Sequence, residues 1–187
     1  NNSITQIPST EISDDKFFWP LLEYTKVSSY FGKRESPTAF ASSYHKGIDI
    51  PAPAGTNIYA VMSGTVVTAK FSGSGGCSVT IKNGDIYTSY CHVSPNYLVS
   101  PGLYVEKGQL IAQVGPKNVY GISENKYRDS NGNPTNGATT GPHLHFETKF
   151  MGMTINPAEI FDFKNQVAHT DTYMFYKNKQ QKSAVNS

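Results

Sequence analysis

The stretch HLHFETKF, residues 143–150, predicts a β-strand and is the starting point for the fold. Successive side chains of a strand point to opposite faces of its sheet, so His143 and His145 share one face while Leu144 lies on the other. Two imidazoles separated by one residue then enter the same pocket. The stretch therefore predicts a strand with a polar, ligand-forming face.

Five further segments are predicted as short strands separated by glycine-containing turns, with bounds 58–61, 65–70, 78–82, 85–91 and 109–114. The composition indicates the same class of fold. Apolar residues make up 37% of the chain and charged residues 16%, and Gly, Pro, Tyr and Phe are plentiful, which favours strands and turns over long helices. The predicted fold class is mainly β, an antiparallel β-sheet with long loops.

Length and charge limit the classes of protein that fit. A chain of 187 residues suits one domain with one sizeable core. A net charge of +2 is too small to predict a nucleic-acid partner. No apolar stretch approaches the roughly 20 residues that cross a bilayer, so no membrane span is predicted in this chain. No signal peptide is present, and because the chain starts at Asn1 without Met, we expect an upstream leader, anchor or further domain.

The chain divides into three predicted parts. Residues 1–15 are polar and lack a hydrophobic period, which predicts a flexible N-terminal arm or linker. The folded domain is placed at 16–163, and 164–187 form a C-terminal extension without an assigned function. Within the domain, 115–140 are rich in Asn, Gly, Pro, Ser and Thr and predict a long inserted loop. Long loops of this kind are often lids or the rims of binding sites. The composition fits a mobile surface insertion equally well.

Two cysteines, Cys77 and Cys91, match no metal or redox spacing. Asn83 and Gly84 form a hairpin turn signal between them, and folding the chain at this turn brings the cysteines close together, one residue out of register. Both a cross-strand disulfide and two half-buried free thiols fit this pattern, because a disulfide also requires close Cβ approach.

The histidines carry the strongest chemical signal. His45 and Asp49 are four residues apart, and since Gly47 and Pro51 argue against a helix, both side chains lie on one face of an extended chain. Imidazole nitrogens and a carboxylate oxygen together suit zinc, and three protein ligands leave a fourth position for water, as in catalytic zinc sites. Further histidines suit acid–base work on a peptide bond. Each spacing alone is a weak pattern, because an isolated histidine is more often a structural side chain.

The motifs together resemble the lysostaphin-type (LytM-type) zinc endopeptidases over roughly 18–161. They occur in the family's order: SSYFGKR at 28–34, HKGIDI at 45–50, PAGT at 53–56, AVMSGTV at 60–66, YCHVS at 90–94, VEKGQLIA at 105–112 and TGPHLHFE at 140–147. The resemblance implies a LytM/lysostaphin-like β sandwich of the duplicated-hybrid-motif type with an open active-site groove.

The resemblance also implies the roles of the site residues. His45, Asp49 and His145 are expected to hold one Zn²⁺ per chain. His92 and His143 are expected to act jointly in catalysis, because the sequence does not separate the base from the electrostatic donor.

The implied function is a zinc-dependent endopeptidase that hydrolyses peptide bonds in peptidoglycan stem peptides or cross-bridges. The expected location is extracellular or in the cell wall, on the extracytoplasmic face, with association with a phage virion as a further option. The alternative is a catalytically silent or occluded LytM-type domain that binds or scaffolds other components in wall remodelling or sporulation, with a protein partner or an upstream domain. A wall-binding module built from aromatic residues explains the Tyr and Phe content but not the histidines.

Further expectations concern three single residues and the inserted loop. Glu147 lies on the predicted face of His143 and His145, and a solvent-facing or structural carboxylate is favoured there over one that orients a metal ligand. A structural role is expected for Arg34. Cys91 replaces the small residue that the family carries before the histidine, and the inserted loop replaces a brief glycine-rich connection.

Overall fold

The computed structural model describes residues 17–35 and 42–160. The predicted N-terminal arm and C-terminal extension lie outside the described residues. The described part contains strands and two single turns of 3₁₀-helix, at Gly73–Gly75 and Pro157–Glu159, and no α-helix. Within this part no helical segment has the length and apolarity needed to span a bilayer. The mainly β fold class predicted from the sequence is confirmed.

Eleven strands are present in the described ranges. In chain order they are β1 Gly32–Lys33, β2 Tyr44–His45, β3 Gly47–Pro51, β4 Asn57–Tyr59, β5 Gly64–Phe71, β6 Cys77–Asn83, β7 Ile86–Cys91, β8 Tyr104–Val105, β9 Leu110–Gln113, β10 His143–Phe150 and β11 Met153–Ile155. The predicted bounds of the six longer segments agree with these strands to within two residues. The shortest strands, β1, β2, β8 and β11, were not predicted individually, because two or three residues carry no periodic pattern.

One antiparallel sheet of seven strands forms the body of the fold, in the order β11-β10-β7-β6-β5-β8 with β3 also paired to β10. Strand β10 lies between neighbours on both sides. On one side it pairs with β7 along most of its length. On the other side its first half pairs with β3 and its last three residues pair with β11. The histidine-bearing half of β10 is therefore held between two strands.

Strand β10 has one apolar face and one polar face, as its alternation predicts. Leu144 and Phe146 are fully buried in the core, together with Ile48 and Ile50 from β3. The side chains of His143 and His145 lie on the opposite face and are only partly buried. The core also takes in residues of the two-stranded β4–β9 ribbon, so it lies between this ribbon and the main sheet. The second face of β10 is thereby left to form a groove.

The register of the β6–β7 hairpin determines how Cys77 and Cys91 lie relative to each other. Its register pairs Ser78 with Cys91, so Cys77 is one residue away from the position opposite Cys91. Adjacent residues of a strand point to opposite faces, which directs the two thiols away from each other. Both are free and buried. The free-thiol alternative is confirmed, with both side chains more deeply buried than expected, and the disulfide alternative is wrong.

The segment 115–140 folds back on itself. Isolated antiparallel bridges join Asn118 to Thr135 and Arg128 to Pro134, so its two ends run side by side. Its last residues return to the main sheet, where Asn136 is fully buried and Ala138 donates a backbone hydrogen bond to Ser74. Packing of this kind favours the binding-rim alternative.

Candidate metal centre and active-site groove

Pairing between β3 and β10 brings the first two candidate ligands together. Asp49 lies directly opposite His145 in the antiparallel register, so both side chains project from the same face of the sheet. His45, the last residue of β2, reaches the same point from the adjoining two-stranded sheet. A Cβ at Gly47 would collide with the backbone of Phe146, so only glycine permits this close approach of β3 to β10.

Three ligand atoms converge at this point. His45 Nε2 lies 2.9 Å from His145 Nδ1 and 3.1 Å from Asp49 Oδ1, and His145 Nδ1 lies 2.7 Å from Asp49 Oδ1. Metal bonds of about 2.0–2.1 Å in a tetrahedral zinc site separate neighbouring ligand atoms by about 3.3 Å. The three distances between the candidate ligand atoms are slightly shorter than that value. A small outward movement of each side chain would give the spacing that zinc requires.

The second nitrogen of each imidazole determines where its lone pair points. His45 Nδ1 lies 2.8 Å from the carbonyl oxygen of Tyr30, and His145 Nε2 lies 3.1 Å from Glu147 Oε1. Carbonyl and carboxylate oxygens only accept hydrogen bonds, so these two ring nitrogens donate. In the neutral rings, His45 Nε2 and His145 Nδ1 therefore present lone pairs to the shared point. Two lone pairs and a carboxylate oxygen at hydrogen-bond distance require a cation between them, either a proton or a metal ion.

Asp49 is held in its ionised form. Its second oxygen, Oδ2, accepts a hydrogen bond from Arg34 at 3.0 Å, which leaves Oδ1 for the shared point. Burial alone raises the pKa of Asp49, but its close contacts with the ring nitrogens of His145 and His45 lower it by more, and the net pKa lies below its usual range. The structural role expected for Arg34 takes the form of this ion pair.

Glu147 contradicts the expectation of a solvent-facing or purely structural carboxylate. It accepts the hydrogen bond from His145 and is only partly exposed. Burial raises the pKa of Glu147, and the hydrogen bond to His145 lowers it by more. The same contacts act on His145: burial lowers its pKa, but hydrogen bonds to Asp49 and Glu147 raise it to about 9. Glu147 therefore orients a candidate ligand, the alternative that the sequence did not favour.

His143 and His92 face the candidate metal centre with one nitrogen each held by the backbone. His92 Nδ1 lies 2.6 Å from the carbonyl oxygen of Asn136, and His143 Nδ1 lies 2.9 Å from that of Gly141. Since carbonyls only accept, both Nδ1 atoms carry hydrogen and both Nε2 atoms are free in the neutral rings. His143 Nε2 lies 3.6 Å from Asp49 Oδ1, and the two rings are 4.7 Å apart.

Both rings are neutral near pH 7. Burial lowers the pKa of His92 well below its usual range, and the neighbouring His143 and His145 lower it further. Burial also lowers the pKa of His143, partly offset by the charge of Asp49. A neutral ring with a free Nε2 is able to accept a proton.

The residues open into a groove of about 580 Å³. Its floor is the polar face of β10 and β3. One wall comes from 28–35 and 42–46, and the other from the 3₁₀ turn at Gly73–Gly75, the end of the inserted segment at 138–140 and the two residues that follow it. The inserted segment forms part of a wall, and His143 and His145 remain partly exposed while His45 and His92 are buried.

The structure brings all five sequence-predicted site residues into one groove, namely His45, Asp49, His92, His143 and His145. Sequence reasoning did not identify the backbone carbonyls of Tyr30, Gly141 and Asn136 that hold the rings. Every residue has a backbone carbonyl, so the residue type does not indicate which carbonyl accepts a hydrogen bond from a histidine ring. Two quoted motifs contain such residues: SSYFGKR contains Tyr30 and TGPHLHFE contains Gly141.

Comparisons with known proteins agree with this geometry. The model of Peptidase family M23 matches residues 43–157. The DD-carboxypeptidase/endopeptidase Mpg of Neisseria meningitidis is 30% identical over 165 residues, which cover 88% of this chain and 34% of that protein. The peptidoglycan DD-endopeptidase ShyC of Vibrio cholerae is 31% identical over 141 residues, covering 74% of this chain and 28% of that protein.

Among solved structures, the catalytic domain of the antimicrobial peptidase lysostaphin from Staphylococcus simulans is similar with a TM-score of 0.58 and 27% identity. The match covers 74% of this chain and 92% of that domain. The chain spans about a third of the length of the two curated relatives above. Since the family model covers more than half of the chain and includes the candidate metal centre, the chain belongs to peptidase family M23.

Proposed function

We propose that this chain is a zinc-dependent endopeptidase that hydrolyses peptide bonds in peptidoglycan stem peptides or cross-bridges. The observation that carries the proposal is the convergence of His45 Nε2, Asp49 Oδ1 and His145 Nδ1, each fixed by an outer hydrogen-bond partner. The names of the curated relatives, a DD-carboxypeptidase/endopeptidase and a peptidoglycan DD-endopeptidase, support the substrate class.

His45, Asp49 and His145 are proposed to hold the zinc ion. When bound there, zinc supplies positive charge that polarises a peptide carbonyl and makes water more acidic. The outer partners Tyr30, Arg34 and Glu147 orient the three side chains before the metal arrives, which reduces the reorganisation that binding requires.

His143 and His92 are proposed to handle protons in the same groove. Their Nδ1 atoms are bonded to backbone carbonyls, so their Nε2 atoms accept a proton from the attacking water or donate one to the substrate. A protonated ring also stabilises the negative oxygen that develops on the attacked carbonyl. The two rings are 4.7 Å apart and influence each other's charge, so the roles are assigned to the pair.

The groove favours catalysis over the silent or occluded alternative. An occluded domain requires the inserted segment to cover the histidines, whereas its residues 138–140 line one wall of an open groove. A substrate in peptidoglycan places the proposed site of action on the extracytoplasmic face, in the cell wall.

The proposal is tested by digestion of purified peptidoglycan, with released muropeptides identified by mass spectrometry. The zinc-loaded chain is expected to release fragments with new peptide ends, which name the cleaved bond. Removal of zinc with a chelator stops the release, and added zinc restores it. Zinc-loaded protein that releases no fragment from peptidoglycans of different cross-bridge types would favour the binding or scaffold alternative.

A further inference from the structure

The inserted segment bonds to the ring of His92 through Asn136. Three of the four polar groups of Asn136 bond to residues around His92, and the side chain is fully buried. Its carbonyl oxygen accepts the hydrogen bond from His92 Nδ1 at 2.6 Å. Its Oδ1 accepts from the backbone of Cys77 at 2.7 Å, and its Nδ2 donates to the carbonyl of Val93 at 2.9 Å. The fourth group, its backbone N–H, donates to Lys117 at 2.8 Å.

Two glycines lie so close to the Asn136 side chain that neither position has room for a Cβ. A Cβ at Gly76 would come within 2.3 Å of Asn136 Oδ1, and a Cβ at Gly115 within 2.5 Å of its Nδ2. Gly76 and Gly137 both have positive φ, which glycine adopts at low cost. These glycines allow three backbone segments to close around the Asn136 amide. The Asn136 side chain is therefore held in one position, by Cys77 on β6 and by Val93, the residue that follows His92.

His92 needs such support. Its φ of 59° places a non-glycine residue in the left-handed region, directly after β7 ends. Its backbone is bonded to Gly75 and Gly115, each at 2.8 Å. Such a conformation persists where the surrounding contacts hold it, and it occurs often at active sites. The ring direction then depends on the contact at Nδ1, which is the carbonyl of Asn136.

We infer that Asn136 is a positioning residue that fixes the Nδ1-protonated tautomer and the direction of the His92 ring, so that Nε2 faces the groove. The inference rests on the proposed function for its effect on turnover, but the state of the ring is measured independently. It gives the inserted segment a part in the active site, in addition to its place in the groove wall.

The test compares wild type with Asn136→Ala and Asn136→Asp. The aspartate keeps the volume and an acceptor for Cys77 but loses the donor to Val93. Asn125→Ala is the matched control, because Asn125 is an equally buried asparagine of the same segment that bonds to Thr135 and Tyr127 and has no bond to His92. The readouts are nitrogen-15 NMR of the His92 ring in zinc-free protein, zinc content, and kcat and KM on peptidoglycan fragments.

Wild type and Asn125→Ala are expected to show a single Nδ1-protonated His92 ring. Both Asn136 variants are expected to show mixed tautomers, unchanged zinc content, and kcat lowered about 10- to 100-fold with KM little changed. A mixture of His92 tautomers in wild type, or the same single tautomer in the Asn136 variants as in wild type, would overturn the inference. If the proteins cleave nothing while the ring signals differ as expected, the proposed function fails and the positioning role stands.

Discussion

At the scale of single residues, the candidate metal centre depends on which nitrogen of each imidazole is free. His45 presents Nε2 and His145 presents Nδ1 to the shared point, because the other nitrogen of each ring donates to an oxygen that only accepts. Spacing along the sequence does not distinguish these two modes. The structure distinguishes them through the carbonyl of Tyr30 and the carboxylate of Glu147.

Replacing Glu147 tests whether its hydrogen bond with His145 Nε2 contributes to zinc affinity. Glu147→Ala removes the acceptor that orients the ring, and we expect zinc affinity to fall about 10- to 100-fold, with Glu147→Gln falling less because its amide oxygen still accepts. Competition with a coloured chelator measures the affinities. Lys149→Ala is the control, since Lys149 lies on the same strand two residues further along. Equal affinities in all four proteins would return Glu147 to the solvent-facing role that the sequence favoured.

Zinc binding is expected to release protons. In the metal-free protein the pKa of His145 is about 9, so its ring carries an extra proton at pH 7, whereas Asp49 is already ionised. Zinc must displace that proton, so apparent affinity rises up to about tenfold per pH unit below pH 9. Calorimetric titrations at pH 7 in buffers of different ionisation enthalpy count the protons. We expect about one proton per zinc; zinc binding that is independent of pH between 6.5 and 8 would contradict the account.

At the scale of elements, β10 combines a core face with a face that carries two of the candidate site histidines. Its alternation was sufficient to predict the strand and the shared pocket of His143 and His145, because side-chain direction follows from the period of two. The pairing of β10 with β3 was not derivable from spacing, since it joins residues about 100 positions apart. The one-residue offset of Cys77 and Cys91 was predicted from a turn at Asn83 and Gly84, but the two-residue loop falls one position later, at 84 and 85, because Asn83 pairs with Ile86. The register therefore places Ser78, and not Gly76, opposite Cys91, so the cysteines are offset by one residue in the other direction.

The core face of β10 is expected to set the stability of the site. Phe146 is fully buried and its ring lies 5.3 Å from that of Tyr90, so Phe146→Ala should lower the free energy of unfolding by about 3–5 kcal/mol. Denaturant titration in the presence of a chelator measures this loss without the contribution of zinc. Lys149→Ala on the opposite face should change the value by less than about 0.5 kcal/mol. Similar losses for both variants would show that the strand is not the buried support described here.

The inserted segment marks the limit of sequence reasoning. Its composition predicted a loop, but the role of Asn136 depends on backbone carbonyls and on close approach by Gly76 and Gly115, which are distant from it in the sequence. Loop composition carries no information about such contacts. The sequence therefore left the rim and the mobile insertion equally open, and the packing of Asn136 favours the rim.

At the scale of the whole molecule, one sheet face supplies the core and the other supplies the groove. Four of the seven motifs quoted from the sequence contribute residues to that groove, namely those at 28–34, 45–50, 90–94 and 140–147. The other three lie elsewhere in the fold. The proposed division of labour separates three residues that hold zinc from two that handle protons.

The most direct test measures zinc content and peptidoglycan cleavage together in wild type, His145→Ala and His143→Ala. The account predicts one zinc per chain and cleavage in wild type, loss of both in His145→Ala, and retained zinc with cleavage lost in His143→Ala. Loss of zinc from His143→Ala, or undiminished cleavage by either variant, would contradict the assignment of ligands and catalytic histidines.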